Sequence, residues 1–131
     1  MITVFLYLVL FVIFGFLGWF IDTFFNSFLD KKYSPHTFIS FFSVIYGIGG
    51  VILFFIYSSF NPGFLTFISG LISIILLELI GGLFCVYVLK RRLWDYRKNQ
   101  LNFLGHVDAE HSCYWFVLCI IFYEIYWVMI V

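Results

Sequence analysis

Three acidic residues stand apart from every other charge in this chain. Asp22, Glu78 and Glu124 each lie in a long apolar stretch with no basic residue. The other eleven of the fourteen charges fall in two patches, Asp30–Lys32 and Lys90–Glu110. A carboxylate in hydrocarbon is costly, so an acid placed there faces a protein interior or a water-filled cavity and marks a candidate site. Asp22 lies nine residues before Lys31, and Glu78 twelve before Lys90. At about 1.5 Å of helical rise per residue, both sit roughly 13–18 Å from those basic patches. Two carboxylates sharing a dry site cannot both ionise cheaply, so one is protonated or a cation bridges them. Such a pair could bind a proton, a metal ion or a substrate amine. The plainer reading is that each acid stays protonated and bonds a neighbouring backbone group or Tyr hydroxyl. Glu124, flanked by Tyr123, Tyr126 and Trp127, reads as an interfacial residue snorkelling to water.

His106, Asp108, Glu110 and His111 form a second constellation, with four potential ligands in six residues. Imidazole with carboxylate suits zinc, iron or manganese. The spacing matches no standard site and lacks H-E-x-x-H, so a solvated loop is the expectation and a metal role the weaker alternative. Cys85, Cys113 and Cys119 follow no metal or disulfide spacing and read as small hydrophobes.

These residues must be positioned by membrane helices. The 131 residues are 64% hydrophobic and 11% charged, against about 25% charged in a soluble domain, and a soluble fold of this length cannot hide so much apolar surface. The zero formal net charge argues against nucleic acid as a partner. A bilayer core of about 30 Å needs roughly 20 apolar residues of helix. Four stretches qualify, at about 2–28, 38–57, 64–89 and 112–131, joined by loops at 29–37 and 90–111 and by a turn at Ser58–Gly63. The expected fold is all-α, one four-helix membrane bundle over residues 1–131. The first stretch has no basic leader and no small-residue cleavage site, so it is expected to remain in the mature protein. Lys31 and Lys32 in one loop, and Lys90, Arg91, Arg92, Arg97 and Lys98 in the other, place both loops in the cytoplasm and both termini outside.

Helical spacing puts Gly15, Gly18, Asp22 and Asn26 on one face of the first helix. Ser43, Gly47 and Gly50 share a face of the second, with Tyr46 beside them. Glu78 precedes Gly81 and Gly82 by one turn in the third. Small residues let membrane helices approach and polar ones bond across the contact. In the long loop, Trp94 and Tyr96 can anchor at the interface, Asp95 and Asn102 can cap or close the chain, and Gly105 can supply a positive φ.

Three blocks of this chain resemble the bacterial membrane family labelled putative ABC-transporter type IV (CmpB-like). Gly18-Trp19 with Asp22 is similar to a G-W-x-x-E block. Ile45-Tyr46-Gly47 followed by Gly49 is similar to P-I-Y-G-x-G. The run LLELIGG…LWDYRKNQLNFLG, Leu76 to Gly105, is similar to L-E-x-x-x-G…W-D-Y-S-x-x-x-N-x-x-G. Asp22 stands where the family has Glu, Val44 where it has Pro, and Arg97 where it has Ser. The resemblance implies a membrane subunit of a transport system in the bacterial plasma membrane. Its candidate binding set is Asp22, Asn26, Tyr46 and Glu78 with Trp94, Asp95, Tyr96 and Asn102 of the loop. The chain contains no G-x-x-x-x-G-K-[ST] phosphate loop, so ATP use requires a separate ATPase subunit. Four helices scarcely line a pathway alone, which favours a homodimer or hetero-complex. The alternative is a non-transporting module that binds a protein or lipid through the basic loop. An intramembrane enzyme ranks third, since no catalytic set is present, and no cofactor is expected.

Overall fold

The computed structural model describes residues 1–31 and 39–130. Lys32, the expected start of the second stretch at 38, most of the loop 29–37 and Val131 lie outside the described residues. Four helices follow in order: α1 (Ile2–Asp30), α2 (Val44–Ser59), α3 (Phe64–Tyr87) and α4 (Ala109–Ile125), which continues as a π-helical turn over Tyr126–Ile130. Among the described residues there is no strand, only two isolated bridges, Ile39 with Phe42 and Phe103 with Val107. α1, α3 and the Ala109–Met129 stretch are long and apolar enough to cross a membrane. α2 has 16 residues, about 24 Å of helix against a hydrocarbon core of about 30 Å.

The chain divides into two compact units, Met1–Val51 and Ile52–Val131, with α2 running through the boundary. In the first unit the glycines of α1 and α2 receive the aromatics of the opposite element. A Cβ on Gly15 would lie 2.2 Å from the Phe42 ring, and one on Gly18 would lie 2.1 Å from Tyr46. Gly47 and Gly50 take Phe11 and Phe14 in the same way. The approach is close enough for the Ser43 N–H to donate to the Gly15 carbonyl at 2.9 Å. The small faces read from the sequence are therefore packing faces. They also explain why α2 starts at Val44 rather than near 38. Phe41 takes a left-handed φ of 63°, Phe42 turns into α1, and the helix begins only once Ser43 accepts the Gly47 N–H.

The second unit has a core of Leu53, Tyr57, Ile74, Cys119 and Tyr126. α3 buries a single stripe, Thr66, Gly70, Ile74, Glu78, Gly82 and Cys85, at spacings of four and three. Glu78 is the acid in that stripe. α3 stops at Tyr87, short of the expected 89, because Lys90 turns left-handed at φ 56° and the Arg91 N–H closes back on the Cys85 carbonyl at 2.9 Å. α4 starts at Ala109, three residues earlier than expected, because Asp108 caps it, accepting the His111 N–H at 2.8 Å.

Candidate functional site around Glu78

Glu78 is 3% exposed on α3, nine residues before the helix ends. The loop returns to meet it. Tyr96 donates its hydroxyl to Glu78 Oε1 at 3.1 Å, and the Tyr96 ring stacks on His111 with centroids 3.9 Å apart and planes 9° apart. His111 Nδ1 lies 2.8 Å from Asp108 Oδ1, while Asn99 donates to Asp108 Oδ2. A chain of contacts thus runs from an acid inside α3 to the start of α4.

One turn beyond Glu78, His106 packs against Gly82. A Cβ there would sit 2.4 Å from His106 Nδ1. His106 is 3% exposed, and its Nδ1 has no hydrogen-bond partner. Burial, reinforced by the Arg92 charge and opposed by Asp95, holds its pKa below the ordinary imidazole value, so the neutral ring is the form that fits. Trp94 fixes this turn by donating Nε1 to the His106 carbonyl at 2.9 Å.

The loop closes on itself. Asp95 accepts the Arg97 backbone N–H at 3.0 Å and its guanidinium at 2.6 Å. That hydrogen bond from Arg97 pulls the Asp95 pKa down to about 2. Asn102 accepts the Gly105 N–H at 3.1 Å and donates to the Asn99 carbonyl at 2.9 Å, and Gly105 takes φ 73°. The closing roles expected of Asp95, Asn102 and Gly105 are present. Trp94 and Tyr96 turn inward as structural donors rather than serving only as interface anchors.

The solvated-loop expectation for His106 and Asp108 is corrected, since both are buried. Of the four candidate ligands, Asp108, Glu110 and His111 bring ligand atoms within 4.8 Å of one another, and His106 packs on α3 instead. Both Asp108 oxygens already accept hydrogen bonds, Glu110 accepts from Tyr114 at 3.0 Å, and the positive end of α4 disfavours a cation there. Capping α4 is the role these contacts support. Sequence reading missed Asn99 and the seat at Gly82. Only the doubled glycine one turn after Glu78 signalled the latter.

The other acids have their own surroundings. In the first unit, Asn26 donates Nδ2 to Asp22 Oδ2 at 3.2 Å, the expected one-face pair, while Tyr46 is taken up by Gly18. Asp22 and Glu78 fall in different units. Glu124 is exposed on α4. Its neighbour Tyr123 accepts the Gly63 N–H at 2.8 Å, which sets Glu124 level with the α2–α3 turn, where a carboxylate can reach water.

The Glu78-to-Gly105 segment, with its Trp-Asp-Tyr, Asn and Gly, is what folds as one unit here. The family model described as "Putative ABC-transporter type IV" matches residues 9–131. The chain belongs to this family. The Leu76–Gly105 block that resembles the family coincides with the α3–loop assembly around Glu78. No curated protein and no solved structure matches the chain.

Proposed function

We propose that the chain is a membrane-embedded subunit of a transport system in the bacterial plasma membrane, with Glu78 as its intramembrane polar site. The observation that carries this reading is the Tyr96–Glu78 hydrogen bond. A helix-packing acid needs no loop folded back to meet it, whereas an intramembrane acid bonded by Tyr96, between the exposed charges Asp95 and Arg97, is placed to exchange a proton or cation. The family to which the chain belongs supports the transport assignment. In this reading all four helices cross the bilayer, α2 by its shorter span, and the basic residues flanking α1 and α3 keep both termini outside. Nucleotide hydrolysis comes from a separate ATPase subunit, and the chain works in a homodimeric or hetero-oligomeric complex.

The test is affinity isolation of the complex from its native membranes, wild type beside Glu78→Gln. The expected result is a co-isolated nucleotide-hydrolysing subunit in both, with transport-coupled hydrolysis lost in the variant. A chain that isolates alone, or hydrolysis indifferent to Glu78→Gln, would overturn the assignment.

A further inference from the structure

The α3–α4 loop exposes an apolar tip over a polar interior. Three of its polar side chains turn inward: Asn99 onto Asp108, Asn102 onto Gly105 and the Asn99 carbonyl, Trp94 onto the His106 carbonyl. Its backbone is satisfied from within, by Tyr96 N–H to the Gly105 carbonyl at 2.9 Å and by Phe103 N–H to the Val107 carbonyl at 2.7 Å. Charged and polar side chains such as Arg97, Lys98 and Gln100 are exposed on the same loop, and beside them three apolar residues also turn outward. Leu101 is 85% exposed, Phe103 58% and Leu104 57%. Leu101 and Leu104 hold left-handed φ values of 53° and 56°, a conformation that residues with a Cβ disfavour. In water this arrangement leaves Leu101, Phe103 and Leu104 outside while Trp94, Asn99 and Asn102 bond inward. Beside hydrocarbon the same arrangement suits its surroundings, because polar backbone there must be satisfied within the protein.

Position and charge name the occupant. Tyr96 and His106 reach Glu78 and Gly82, nine and five residues inside the end of α3, so the loop lies back along the last turns of a helix long enough to cross a membrane. Between Lys90 and Asp108 the chain carries five basic and two acidic residues, with Lys90 and Lys98 exposed. We propose that Leu101, Phe103 and Leu104 form an apolar tip that inserts into the cytoplasmic leaflet, with Lys90 and Lys98 engaging anionic lipid headgroups. This inference rests on the proposed orientation and not on the transport reading.

Single cysteines at Leu101, Leu104 and, as a control, Gln100, placed in a background with the three native cysteines replaced, would carry nitroxide labels in lipid nanodiscs. The discs would contain phosphatidylcholine alone or with phosphatidylglycerol added. At 101 and 104, accessibility to oxygen is expected to exceed that to a water-soluble nickel chelate, giving a depth of about 5–10 Å. The order reverses at 100, and phosphatidylglycerol deepens the tip unless Lys98→Gln is present. Labels at 101 and 104 as open to nickel as the one at 100 would overturn the proposal, as would exclusion of both reagents, which marks a protein surface over the patch. Phe103→Trp gives an independent reading without labels. Quenching by lipids brominated along their chains is expected, and no quenching overturns the insertion.

Discussion

His106 seats its imidazole on Gly82, so closely that a Cβ at Gly82 would meet Nδ1 at 2.4 Å. The contact fixes the loop to α3 one turn from Glu78, and it depends on position 82 having no side chain. Gly82→Ala is therefore expected to destabilise the protein by about 1–3 kcal/mol through overpacking. Adding His106→Gly should remove most of that penalty, since the colliding ring and its Cβ, 2.9 Å away, are gone. Thermal unfolding of the wild type, both single variants and the double variant in detergent measures the coupling, and additive effects would contradict the contact.

Tyr96→Phe keeps the ring that stacks on His111 but deletes the hydroxyl that donates to Glu78. Losing a hydrogen bond to a buried carboxyl costs about 1–3 kcal/mol. Faster amide exchange across residues 94–107 is expected, with α1 unaffected. Exchange indistinguishable from wild type would remove Tyr96 as the link.

Falling pH should loosen the same loop. Burial, and next the Arg92 charge, hold His106 below its ordinary pKa while Asp95 opposes them. A free imidazole titrates near about 6.5, so the unfolded chain takes up this proton before the folded one does. The contribution is fully present above about 6.5 and is lost as pH falls through the lower folded value. Glu78, one turn from Gly82, and Asp108 and His111 at the start of α4 belong to the same neighbourhood. Asp95, held at about 2, adds a separate loss only below about 4, the range of a free carboxyl. Exchange of the 94–107 amides against pH measures both steps, and His106→Phe should flatten the first alone.

In the first unit, Gly18 and Tyr46 are the analogous pair. A Cβ on Gly18 would lie 2.1 Å from Tyr46 Cβ, so Gly18→Ala is expected to cost about 1–3 kcal/mol. Tyr46→Gly, which removes the opposing Cβ, should recover part of the loss, and absence of recovery in unfolding experiments would contradict the interlock.

The helices were legible because apolar stretches of membrane length carry an unambiguous pattern, and their packing faces because Gly15, Gly18, Gly47 and Gly50 recur at helical spacing. The start of α2 was not legible. It depends on Phe42 leaving the helical path to fill the space over Gly15, a tertiary contact that local hydropathy does not encode. In the loop, Asp95, Asn102 and Gly105 announced a turn by residue type. Burial of His106 and Asp108 was hidden, because both are polar and the glycine that seats His106 lies on α3, while Asn99 reaches Asp108 only once the loop has folded.

Native mass spectrometry of the protein isolated from its own membranes, wild type beside Glu78→Gln, tests most directly whether Glu78 is a binding site. The expected result is a ligand mass retained by the wild type and absent from Glu78→Gln, with subunit composition unchanged. The same ligand mass on both would contradict it.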